Sequence, residues 1–182
     1  VALTVMVTSF RDSLIVWLDD VLPADLYVRT QPGVGEGPAF LAPAVVAAAS
    51  GAGVRQVRTE RLLPVTLAPE QPDAVLLARD LAPGAALPAL PWIVAPDAAP
   101  PGAAPALVSV YPSEVLAALQ HLHKGDVLTL PLPPRRSAAA AATAGAQPVP
   151  VPVRAVVRGV WRDYARQQGA LLMDRADWLR LT

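Results

Sequence analysis

VSVYPSEVLAALQHLHKGDVLTL (Val108 to Leu130) is the stretch on which the fold turns. Its apolar opening, Ala106 to Val110, leads into YPSEVLAALQHLH, where Pro112 or Ser113 can start a helix and Gly125 can close it. GDVLTLPL (Gly125 to Leu132) then has the pattern of a strand. An apolar segment, a capped helix and a strand in immediate succession predict an α+β domain.

Downstream lies the low-complexity tract RRSAAAAATAGAQ (Arg135 to Gln147), expected as a loop or hairpin tip. PVPVPVRAVVRGVW (Pro148 to Trp161) alternates proline with valine before it becomes an ordinary strand. Proline has no N–H for a ladder, so the first half of that strand belongs at an edge. WRDYARQQGALLMD predicts a turn or short helix and then a strand at Ala170 to Met173. DRADWLRLT (Asp174 to Thr182) starts an amphipathic helix with Asp174 as its N-cap.

Upstream, Pro91 to Ala95 (PWIVA) and Asp73 to Ala78 (DAVLLA) are short apolar runs bounded by proline, suited to a small β-rich lobe. VRQVRTERLLPVTL (Val54 to Leu67) predicts two short strands, or one bent at Pro64. FLAPAVVAAAS (Phe40 to Ser50) is a short helix stopped by Gly51, and a Gly/Pro loop (Gln31 to Pro38) precedes it. Ala24 to Thr30 alternates as a strand would. Before it, Leu3, Val7, Phe10, Leu14, Trp17 and Val21 recur at steps of three and four, the stripe of a helix ended by Pro23.

The opening VALTVMVTSF lacks the basic flank and cleavage site of a signal peptide. It is shorter than the ~20 apolar residues that cross a bilayer. We expect it to be the last turns of a membrane span, with a plain amphipathic helix as the alternative.

Composition narrows the function. The 182 residues are 53% hydrophobic and only 16% charged, which excludes a disordered tail and allows a real core. Formal net charge is zero, so no overall field draws the chain to nucleic acid or to anionic lipid. Twenty-one prolines against 11 glycines point to stiff, extended loops such as PDAAPPGAAP (Pro96 to Pro105). Cysteine is absent, which removes disulfides, thiolate metal sites and a cysteine nucleophile.

His121, His123 and Lys124 end the expected helix, where cations favour its dipole; two histidines at i and i+2 with no third make a poor metal site. Ser113 and Glu114 beside a histidine could suggest a hydrolase, but no G-x-S-x-G elbow is present and Ser113 suits an N-cap. Asp19, Asp20 and Asp25 suit solvated positions better than a carboxylate pair. Arg158, Arg162 and Arg166 recur around Trp161 and Tyr164, a mixture that could stack bases; overall neutrality opposes that use. Trp17, Trp92, Trp161 and Trp178 suit core positions or membrane-proximal anchors. No catalytic, cofactor-binding or metal-binding residue is assigned, and the expectation is a protein that is not an enzyme.

Three segments together carry a resemblance: SFRDSLIVWLDDVLPADLYVR (Ser9 to Arg29), VSVYPSEVLAALQHLHKGDVLTL (Val108 to Leu130) and VRGVWRDYARQQGALLMDRADWLRL (Val157 to Leu181). In this order they resemble the extracytoplasmic domain of FtsX/MacB-type ABC transporter permeases, over somewhat under half of the chain. The resemblance implies a MacB-like periplasmic core domain held between two membrane helices in the bacterial inner membrane. It implies a separate ATPase subunit or domain as partner, with a periplasmic adaptor, a lipoprotein or a peptidoglycan enzyme as a further one. No cofactor is implied. Consistently, the sequence has no G-x-x-x-x-G-K-S/T phosphate loop and no G-x-G-x-x-G after a strand. Leu67 to Pro105 and the alanine tract depart from the pattern. The alternative is an envelope binding or adaptor module without transport.

The expected organisation has residues 1–22 as the end of a membrane helix and its amphipathic connector. An α+β lobe of strand-helix-strand units follows, built from both chain ends (23–66 and 106–173), with a smaller β-rich lobe inserted at 67–105. Residues 174–182 would connect to the next membrane helix.

Overall fold

The computed structural model describes residues 2–21, 24–30, 41–51, 53–81, 90–97, 107–134, 149–164 and 166–182. The chain divides into two compact units, Val1–Val54 and Arg55–Thr182.

The first unit holds helix α1 (Ala2–Val21) and helix α2 (Pro43–Ala49). The 3.6-residue apolar stripe forms the helix it predicted, with Leu3, Val7, Phe10 and Leu14 all exposed. Among the described residues no helix is long and apolar enough to cross a membrane. Pro43 stands in the first turn of α2, where its missing N–H costs nothing. The α2 helix ends at Ala49 with Ser50 as its C-cap, so Gly51 is the first residue past it, as expected. Residues 24–30 form no ladder, contrary to the strand expected there. Alternation alone makes no strand; a neighbour must supply hydrogen bonds.

In the second unit the elements are β1 (Glu60–Val65), β2 (Ala74–Arg79), β3 (Trp92–Val94), β4 (Val108–Pro112), α3 (Glu114–Leu119), β5 (Val127–Leu132), β6 (Val151–Val157), β7 (Val160–Trp161), β8 (Ala170–Asp174) and α4 (Arg175–Leu181). Six strands make one mixed sheet in the order β1-β2-β8-β4-β6-β5, and β3 pairs with β7 in a second, two-stranded sheet. The fold is α+β. Strands β2 and β8 run parallel, as do β4 and β6, and the other neighbours are antiparallel. The large sheet curls enough to bring β1 close to β5.

The central strands are buried on both faces, which explains their unbroken apolar sequences: Ala170, Leu171, Leu172 and Met173 are inaccessible to solvent. One face packs Leu76, Val110, Leu130, Leu132, Val157, Leu171 and Met173 with Leu116 of α3 and Trp178 of α4. The other packs Leu77, Tyr111, Leu172 and Trp161, with Leu90 and Trp92 against them. Burying each such leucine contributes roughly 1.5–3 kcal/mol.

The stretch expected as an inserted lobe at 67–105 divides. Ala74–Arg79 lies inside the main sheet between β1 and β8, because a strand apolar on both faces needs cover on both. Trp92–Val94 stays apart and covers one face of that sheet with β7.

Prolines mark the edges. Pro64 is on edge strand β1, and Pro131 of edge strand β5 stands opposite Pro152 of β6. Two prolines can face each other only at a non-hydrogen-bonded pair, where the missing N–H groups would point away. Strand β4 pairs with β6 only at Ala155 to Val157, so Val151 to Arg154 has β5 alone beside it, as the valine-proline alternation required. The alanine tract, the 31–38 loop and most of Pro96 to Pro105 lie outside the described residues.

Candidate functional site

A buried polar arrangement gathers where β4 passes into α3 beside β7 and β8. Ser113 is fully buried. Its carbonyl turns into the helix and accepts from Ala117 N–H at 2.8 Å, so it is lost to the ladder. The hydroxyl takes its place: Oγ accepts from Ala170 N–H at 2.9 Å and from Leu116 N–H at 3.4 Å. Ser113 N–H donates to the Ala170 carbonyl at 2.7 Å. The expected N-cap is therefore present, and it also splices β4 to β8. Its oxygen is committed to backbone and shielded from any substrate.

Around this splice, Trp161 donates its indole N–H to the Tyr111 carbonyl at 3.0 Å, and Trp92 meets the Tyr111 ring edge-on at 5.5 Å. Burial is the main cause that pushes the Tyr111 phenol above its ordinary value, with Arg158 opposing and Asp174 and Asp177 adding. Gly169, at φ +85°, lies so close that a Cβ there would come within 2.7 Å of the Leu116 Cβ. Glu114, just inside the helix, accepts from Arg162 Nε at 3.0 Å across exposed surface. That bond, then one with Tyr164, raises the Arg162 guanidinium above its ordinary value.

The other residues singled out in sequence disperse. Helix α3 ends at Leu119, earlier than expected, so His121 to Lys124 lie beyond its last turn. His121 takes a left-handed φ of 50°. His123 N–H donates to the Asp126 carboxylate at 2.7 Å, while the imidazole is exposed. Lys124 instead donates to Asp97 at 2.7 Å and to the Ala95 carbonyl at 3.0 Å, tying this turn to the end of β3. Among the described residues no three His, Asp or Glu side chains gather as a metal site would require. Asp25 is exposed; the side chains of Asp19, Asp20 and Trp17 lie outside the described residues.

The arginines around Trp161 and Tyr164 do not form a stacking platform. Trp161 is buried, Arg162 turns to Glu114, and Arg166 donates to Asp163 at 3.0 Å. Trp178 is a core residue, with the Arg61 guanidinium 5.4 Å above its ring, and Asp174 caps α4 by accepting from Ala176 N–H at 2.7 Å.

One charged residue escaped the sequence reading. Arg79 ends the apolar strand β2, and its Nε–H is buried with no hydrogen-bond partner among the described residues. The available signal was an arginine closing a run, AVLLAR, that must be covered on both faces.

Against protein-family models and curated proteins, the chain shows no match.

Proposed function

We propose that this chain is a non-catalytic extracytoplasmic domain of an ABC transporter permease of the FtsX/MacB type. It would pass ATP-driven motion of a separate ATPase subunit or domain to an envelope cargo or partner. The observation that carries the reading is the apolar face of α1. Leu3 remains 74% exposed and Phe10 70% exposed, on one side of a helix that contains the SFRDSLIVWLDD segment of the resemblance. Large apolar side chains in a continuous stripe favour a non-aqueous environment. The Arg55–Thr182 unit suits the mechanical part, since a close-packed sheet moves as a body and transmits displacement. An adaptor, lipoprotein or peptidoglycan enzyme would be the recipient.

A second reading, an envelope binding or adaptor module without transport, is favoured by α4. That helix folds back and buries Trp178 against the sheet, instead of offering it to a bilayer.

Topology mapping of the protein in its natural gene context separates the two. A reporter active only outside the cytoplasm is inserted at Ala140, in the alanine tract. Signal, together with membrane spans on both sides of the domain, is expected. No signal would sink both readings, and signal without a following span would promote the adaptor.

A further inference from the structure

We propose that residues 90–97 form a strap that lifts off the sheet as a unit, with Lys124 as its latch, while the sheet beneath stays folded. This inference is independent of the transport reading. The strap, centred on β3, is joined to the rest of the second unit by little backbone. Trp92 pairs with Trp161 and Val94 with Val160, with an irregularity between them. Pro91 and Pro96 bring no N–H of their own. Trp92 spends its N–H inside the strap, on the Leu90 carbonyl at 2.7 Å. The Pro91 carbonyl accepts from Arg162 N–H at 2.9 Å, a bond that exists only while the strap is closed.

The side chains are held as lightly. Leu90 and Trp92 are half-buried and Ile93 and Val94 exposed, whereas Leu77, Tyr111, Trp161 and Leu172 of the same cluster are buried. Lifting the strap gives up the edge-on contact of Trp92 with the Tyr111 ring. It breaks no ladder of the six-stranded sheet, because β3 belongs to the other one. Local opening draws on segments of this kind, with few buried contacts and few ladder bonds.

Two features define the closed position. Lys124 Nζ donates to the Asp97 carboxylate at 2.7 Å and to the Ala95 carbonyl at 3.0 Å, and the Asp97 side chain is 83% exposed. An ion pair that open to water is weak and screened by salt, so it biases an equilibrium and does not lock it. Gly159 marks where the strap lies closest. A Cβ there would come within 2.7 Å of the Val94 carbonyl oxygen and 3.1 Å of the Pro96 nitrogen, and its three nearest atoms all belong to the strap. Gly159 is not among the glycines of positive φ, so alanine fits its backbone and meets only the strap. Closed, the strap covers an apolar surface that includes Tyr111 and Trp161; open, it presents that surface, with the balance set by ionic strength.

The test follows amide hydrogen exchange in the full chain by NMR. Arg162 N–H reports the strap. Arg158 N–H, which donates to the Val110 carbonyl, and Ala170 N–H, which donates to Ser113 Oγ, report the sheet. After correction for intrinsic rates, Arg162 is expected to exchange about tenfold or more faster than either, with little dependence on urea. Lys124→Met should speed Arg162 by about twofold to fivefold, the scale of one exposed ion pair, and remove the acceleration that salt causes in the native chain. Gly159→Ala should strip Arg162 of protection and leave Ala170 protected. The proposal is overturned if Arg162 exchanges together with the sheet in the native chain, or if Lys124→Met leaves its rate and salt dependence unchanged. It is equally overturned if Gly159→Ala unfolds the whole sheet or keeps Arg162 as protected as in the native chain.

Discussion

Replacing Ser113 with alanine removes a single oxygen that does two jobs. The N-cap to Leu116 is lost, at a cost of about 1 kcal/mol. Ala170 N–H also loses its acceptor in a fully buried place, which costs about 1–3 kcal/mol. The Ser113 carbonyl cannot substitute, since it already accepts from Ala117 N–H. Ser113→Ala is therefore expected to lower stability by roughly 2–4 kcal/mol. With a urea m-value of about 2 kcal/mol/M, the midpoint should fall by roughly 1–2 M. Tryptophan fluorescence reports the transition, because Trp161 packs within the same splice and bonds to Tyr111. A loss under about 1 kcal/mol, at unchanged m, would refute the reasoning, for it would mean that Ala170 N–H finds another partner.

Gly169→Ala should cost more than about 2 kcal/mol, because it combines a left-handed backbone with a 2.7 Å approach to Leu116; thermal denaturation of the variant checks this. Tyr111 supplies a pH dependence. Its folded-state pKa is raised above the ordinary 10.0, so the stability it contributes is fully present below that value. It is lost as pH rises through the folded pKa. Urea midpoints between about pH 9 and pH 11 should fall more steeply for the native chain than for Tyr111→Phe.

Local chemistry was legible wherever a residue acts on its own neighbourhood. Ser113 and Asp174 stand at helix starts as expected, since each side-chain oxygen reaches an N–H two or three residues along. Pro150 and Pro152 pointed to weak or missing pairing on one side, and Val151 to Arg154 of β6 has that character. Misreadings came where a distant partner decides. The alternation in Ala24 to Thr30 resembles a strand, but no ladder takes these residues up. The HLHK run suits a helix end in sequence. In the fold Lys124 is held by Asp97 and the Ala95 carbonyl, a contact that no local signal announces.

The candidate polar sites divide in the same way. The role of Ser113 as a cap was available from YPSEVL, whereas its second bond to Ala170 spans 57 residues and required the fold. Arg79 was invisible as a special residue because its burial depends on β2 standing between β1 and β8.

From its sequence alone this protein is α+β, with its principal strands, its capped helices and its proline-marked edges, because each of these depends on contacts within a few residues. Only the tertiary structure decided that Leu77 stands beside Leu172 in parallel register, that Trp178 enters the core, and that Arg79 is left with an unused donor. Such pairings join residues about a hundred positions apart and are selected by how two faces of one curled sheet can be covered together, which periodicity within a single segment does not encode.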